Sequence, residues 1–89
     1  MNECFVIGKI ISDIKYDFVI GNEGYFSKKE KISVVRFCLE LLDKNRICVI
    51  GYNSIADFCY QKLNTENNVF IEGFLKSDGN IEMKNIELM

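Results

Sequence analysis

The chain contains no histidine, no proline and no tryptophan. Without histidine it lacks the side chain that most often serves as a general base near neutral pH and that most often binds metal. A zinc site would need all four cysteines, Cys4, Cys38, Cys48 and Cys59, from separate segments, and no two of them stand at CxxC spacing. Each lies among apolar neighbours, a setting that reads as free buried thiols and no metal. There is also no GxSxG elbow, no phosphate-binding glycine loop and no carboxylate pair at a recognisable spacing, so neither an enzyme nor a cofactor is expected. In the absence of proline, the turns fall to glycine, asparagine and aspartate. Long apolar runs are missing as well. Cys4 to Ile11 and Val34 to Leu42 are broken by Lys9, Arg36 and Glu40 and fall short of a membrane span. The opening Met-Asn-Glu-Cys carries an acid where a secretory signal carries a base, which makes the cytoplasm the expected location.

What is present is enough for one core. The chain has 89 residues, 48% of them hydrophobic and spread from end to end, which fits a single domain over 1–89. The net charge of −2, from 11 basic and 13 acidic residues, opposes nucleic-acid binding, because phosphate neutralisation supplies much of that affinity. The charge is uneven, however. Lys28, Lys29 and Lys31 cluster in one polar stretch, while Asp78, Glu82 and Glu87 gather near the C-terminus, so a local basic surface remains open.

Cys4 to Ile11 reads as a buried strand, and Ile14, Tyr16, Phe18 and Ile20 continue it at period two with Lys15 and Asp17 between them. Ser12 and Asp13 interrupt the two halves, giving either one sharply bent strand or a strand followed by a tight hairpin. Gly21 to Gly24 and the polar run Ser27 to Lys31 supply a long loop. Ile32 to Leu42 is a second strand, joined by the Asp43-Lys44-Asn45 turn to a third, Arg46 to Tyr52. The period then changes. Ile55, Phe58, Cys59, Lys62 and Leu63 fall at helical spacing, with Ser54 as N-cap and Asp57 as its capping-box partner, which predicts one short helix from about Ile55 to Leu63. Val69 to Lys76 and Ile81 to Met89 form two further strands around an Asp78-Gly79 turn. The order β-β-β-α-β-β, with one short helix between the third and fourth strands, is that of an all-β, five-stranded oligonucleotide-binding (OB) barrel.

Specific residues also resemble the bacterial single-stranded-DNA-binding protein family. Phe5-Val6-Ile7-Gly8-Lys9-Ile10 looks like its first strand, and Val49 to Asp57 is similar to its third strand and helix start. Val69-Phe70-Ile71-Glu72-Gly73-Phe74-Leu75 matches its apolar-aromatic-apolar-Glu-Gly-x-Leu strand, and Lys84 to Leu88 resembles its closing strand. The resemblance implies single-stranded DNA as ligand, a homodimer or tetramer built partly through the first strand, replication proteins as partners, and a cytoplasmic, nucleoid-associated role in replication, recombination or repair. The chain departs from the family in its short turns, in having Arg46 where a tryptophan often stands, and in ending at Met89 without an acidic tail; it looks like a minimal version, and shares its shortness with the primosomal replication protein of the same fold.

Single-strand binding needs a cationic groove and aromatic faces on which bases stack. Tyr52 is the first candidate for stacking, with packing over the helix start as the alternative. Phe70 matches a family aromatic, although core or subunit packing suits it too. Tyr25 and Phe26 flank Lys28 and Lys29 at a loop tip, where stacking and loop packing are both open. Arg36 and Arg46 interrupt apolar strands and should leave the barrel on its usual ligand face, towards phosphate or towards Glu40. Lys9, Lys76 and Lys84 add charge or are merely solvated. Gly8, Gly51 and Gly73 mark bends or close strand approaches. The competing function is an OB module for protein–protein assembly, favoured by the negative charge and the absent tryptophan.

Overall fold

The computed structural model describes residues 2–22 and 29–89, apart from the side chains of Gly21, Asn22, Lys29 and Glu30. The strands are β1 (Glu3–Ile10), β2 (Lys15–Asn22), β3 (Lys29–Leu41), β4 (Arg46–Tyr52), β5 (Asn68–Leu75) and β6 (Ile81–Leu88), with one helix, α1 (Ser54–Lys62), between β4 and β5. They hydrogen-bond in the order β1-β5-β6-β4-β3-β2, and β1 also pairs with β3. The ring β1-β5-β6-β4-β3 therefore closes, and β2 extends β3 beyond it as a two-stranded arm. This is the OB barrel expected from the sequence.

The first predicted strand is bent rather than folded into a hairpin. β1 and β2 both run antiparallel to β3, with Ile10 opposite Leu39 and Lys15 opposite Arg36, so Ile11 to Ile14 face only Phe37 and Cys38. That excess bulges, and Ser12 compensates for it. Its hydroxyl accepts the Cys38 N–H at 2.7 Å, while the Ile11 N–H donates to the Cys38 carbonyl at 3.0 Å. Just before the bulge, Gly8 lets β1 approach β3, since a Cβ there would stand 3.0 Å from the Glu40 carbonyl oxygen.

Alternation builds the core. Val35, Phe37 and Leu39 of β3, Val49 of β4, Val69 and Ile71 of β5 and Ile81 and Met83 of β6 point inward, and Ala56 and Cys59 of α1, with Leu63 just after it, plug one end. Burial pushes the Cys59 thiol up to about 12, as expected for an inert core thiol.

The strand expected from Ile32 begins earlier, because Lys29 to Lys31 of the expected loop already pair with β2. Two further local expectations need correction. The helix cap is Asn53, with φ 57° and no side-chain capping bond, rather than Ser54, which is the first helical residue. The Asn53 N–H is bonded to the Ser33 carbonyl at 3.0 Å, so the chain stays tied to β3 one residue longer than the capping box allows, and asparagine tolerates the left-handed backbone this requires. Asp57 is used elsewhere, accepting the Tyr16 hydroxyl at 2.7 Å. The cysteines are the second case. Cys38 and Cys48 are not free thiols in the core: they stand opposite each other on β3 and β4 and form a disulfide, with Cys48 exposed. Their apolar sequence neighbours are inward-facing, and the period of two turns both sulfurs outward. Cys4 and Cys59 are free.

Candidate nucleic-acid interface

The β3–β4 register pairs Val34 with Tyr52, Arg36 with Ile50, Cys38 with Cys48 and Glu40 with Arg46, and these eight positions form the outer face of the hairpin. Tyr52 belongs to this face because Gly51 faces inward, where a Cβ would meet Met83 and Ile55. The ring is half-buried and stands away from the barrel interior. Arg36 and Arg46 are both exposed, as the alternation requires.

The β5–β6 turn closes one side of this face. Lys76, Asp78 and Asn80 join Arg36, Ile50 and Tyr52 around a groove of about 350 Å³. Asp78 is spent on its own turn: it accepts the Asn80 N–H at 3.0 Å, and that bond holds its carboxyl below the usual carboxylate range. Among the described residues, no ion pair involves Arg36, Arg46 or Lys76. Glu40, the register partner of Arg46, instead reaches Lys44 at 4.0 Å. The groove thus offers one aromatic ring and two cations that form no ion pair among the described residues, although Lys76 lies close enough to help hold the Asp78 carboxyl down, with Arg46 further along the same face. Lys15, which the sequence reading did not single out, lies beside Arg36 across β2 and β3; its period-two position on a bent strand was the signal.

The other expected residues fall elsewhere. Phe70 lies on β5 and stacks on Phe5 of β1 with ring centroids 6.0 Å apart, on a different outer face. Lys9 is held by Glu66 at 3.1 Å, and Lys84 lies between Glu3 at 3.5 Å and Glu72 at 3.8 Å. These three are not brought to the groove. Tyr25, Phe26 and Lys28 lie outside the described residues, as does the Lys29 side chain. Among the described residues, no three histidine, cysteine or acidic side chains gather as metal ligands, and no helix is long and apolar enough to cross a membrane.

No protein-family model and no curated protein matches this chain. Solved structures do. The SSB domain of a Synechococcus sp. protein superposes with a TM-score of 0.79 at 14% identity, over 98% of this chain and 94% of that one. The small single-stranded DNA-binding protein of Streptomyces coelicolor gives 0.69 at 15% identity, over 98% and 91%. The protein PriB of Ralstonia solanacearum gives 0.67 at 11% identity, over 100% and 99%. At these identities the likeness establishes a shared fold along nearly the whole chain.

Proposed function

We propose that the protein binds single-stranded DNA without reading sequence at the groove, stacking a base on Tyr52 and drawing phosphates to Arg36, Lys76 and Arg46, in replication, recombination or repair. The observation that carries this is the groove itself: an aromatic ring and unpaired cations meet on the outer β3–β4 face, the combination single strands require. The fold supports it, since the Synechococcus and Streptomyces structures of like fold are described as an SSB domain and a single-stranded DNA-binding protein. A cytoplasmic, nucleoid-associated setting with replication proteins as partners belongs to the same reading. Titration of a fluorescent oligo-thymidine at two salt concentrations tests it. Binding that weakens as salt rises supports the groove, whereas no binding at low salt favours the second reading, a protein-assembly module, whose support is the net charge of −2.

A homodimer or tetramer through β1 is part of the proposal. β1 pairs with β5 along Glu3 to Lys9 but with β3 only from Gly8 to Ile10, so one edge of residues 3–7 is without a strand among the described residues. Phe5, 62% exposed, and Ile7, 43% exposed, add an apolar surface beside Phe70. Light scattering at tens of micromolar should give a multiple of the 10.3 kDa chain; the single-chain mass would overturn this part.

A further inference from the structure

The β2–β3 arm has a second face that the groove does not use. Its register sets Tyr16 against Val35, Phe18 against Ser33 and Ile20 against Lys31, and because Val35 is fully buried, this face leaves the core and runs out over α1. Tyr60 of α1 stacks on Tyr16 at 4.3 Å and Phe18 meets Tyr16 edge-on at 5.3 Å. The Tyr16–Tyr60 stack and the Tyr16–Asp57 hydrogen bond pin the arm to the helix. They do not account for the outer rings: Phe18 is 53% and Tyr60 61% exposed. An aromatic row left this open costs solvation that a purely structural clasp would avoid.

The row borders an open cleft of about 540 Å³, within the roughly 300 to 1,000 Å³ of small-ligand sites. Lys31 holds its ammonium 5.9 Å from the Phe18 ring centroid, so the aromatic end of the cleft carries positive charge and disfavours a cationic guest. Asn53, Gln61 and Asp57 line the same space. Asp57 gives one acceptor site to Tyr16 and retains further acceptor capacity. Ring face, cation and polar wall together match the π-face, phosphate and edge of one nucleotide.

We propose that this cleft is a second nucleobase site, on the opposite face of the β2–β3 arm from the groove, that stacks a base on Phe18, sets its phosphate at Lys31 and takes an exocyclic amino group on Asp57. This rests on the single-strand reading above and adds a base preference to it. A carboxylate only accepts hydrogen bonds, so cytosine or adenine, which present an amino group, are favoured over thymine, which presents a carbonyl at that position.

The test compares oligo-deoxycytidine and oligo-deoxythymidine of equal length on the wild type, Phe18→Leu, Phe18→Tyr and Asp57→Asn, with thermal unfolding of each. The wild type should prefer deoxycytidine. Phe18→Leu keeps the apolar bulk but removes the π-face, and should weaken deoxycytidine binding by about 5- to 100-fold, while Phe18→Tyr restores it. Asp57→Asn can still accept from Tyr16 and adds donors, so the preference should shrink or reverse towards deoxythymidine. Equal affinity of the wild type for both oligonucleotides, or Phe18→Leu binding as well as wild type while Tyr52→Ala binds poorly, overturns the second site and leaves the groove standing. Failure of the wild type to bind either oligonucleotide overturns both. Weaker binding by Phe18→Leu that only tracks a lowered unfolding temperature makes the row a structural clasp and also overturns the proposal.

Discussion

The β3–β4 and β1–β5 outer faces are cut from one barrel by the same alternation, yet they differ in character. On β3–β4 the outward positions carry Arg36, Glu40, Arg46 and Tyr52 around a disulfide, beside Val34 and Ile50, and the cations of the groove form no ion pair among the described residues. On β1–β5 the apolar positions Phe5, Ile7, Phe70 and Phe74 share the face with Glu3, Lys9 and Glu72, and its cations are held in ion pairs, Lys9 with Glu66 and Lys84 with Glu3 and Glu72. A largely apolar face whose cations are already held by carboxylates suits a protein surface better than a polyanion, because burying it strands no cation. A face with unpaired cations suits a polyanion, because each phosphate contact releases a counterion.

Both faces hang on the inward residues between them, so the largest effect should come from there. Leu39 is fully buried between Cys38 and Glu40, and Leu39→Ala should cost about 2 to 5 kcal/mol of stability in denaturant unfolding, degrading both faces together. An intact, equally stable variant would mean that the barrel interior does not support them. One step smaller, Phe5→Glu should reduce the particle mass to that of one chain in light scattering while each folded protomer still binds oligo-thymidine. Loss of binding in that variant would show that the two faces are not independent.

Much of this contrast is legible in the sequence, because period two in β3 and β4 sorts Arg36, Arg46 and Tyr52 to the outside without any structure. What is not legible depends on register between strands. Cys38 and Cys48 look buried when read along the chain, and become a surface pair only once the Asp43-Lys44-Asn45 turn, with Lys44 at φ 72°, sets them opposite each other. Tyr16 and Phe18 keep a core-like alternation past the point where the core ends, so their exposure follows from the length of the arm and not from their pattern. Tyr60 is different. It falls off the helical face of Ile55, Phe58, Cys59 and Leu63, and an aromatic on the polar side of a short helix was an available signal. Asn53 displaced the capping box because the strand bond to Ser33 outweighs a local side-chain cap.

Within the groove, Tyr52→Ala should cost roughly 1 to 3 kcal/mol of oligo-thymidine binding, with Tyr52→Phe retaining most of it, since stacking uses the ring and not the hydroxyl. Unfolding temperature should barely move in either variant, because the ring stands on the outer face; a marked fall with unchanged affinity would make Tyr52 a packing residue.

The smallest effect belongs to the arm. The hydrogen bond to Asp57 raises the Tyr16 hydroxyl above the ordinary tyrosine range. The stability this bond contributes is therefore complete below the ordinary tyrosine pKa and is lost as pH climbs through the raised value. Phenolate absorbance should show a late-titrating component that Asp57→Asn shifts downwards. A late component that persists in Asp57→Asn would assign the shift to another cause.

The central claim is that the groove cations act on phosphates and the β1–β5 face does not. The salt dependence of oligo-thymidine affinity tests it most directly, measured on the wild type, Arg36→Ala, Lys76→Ala and Phe5→Ala. The log–log slope should fall in magnitude by about 0.7 for each groove cation that contacts a phosphate and is removed, and should keep its wild-type value in Phe5→Ala. A slope unchanged by both Arg36→Ala and Lys76→Ala would contradict the account.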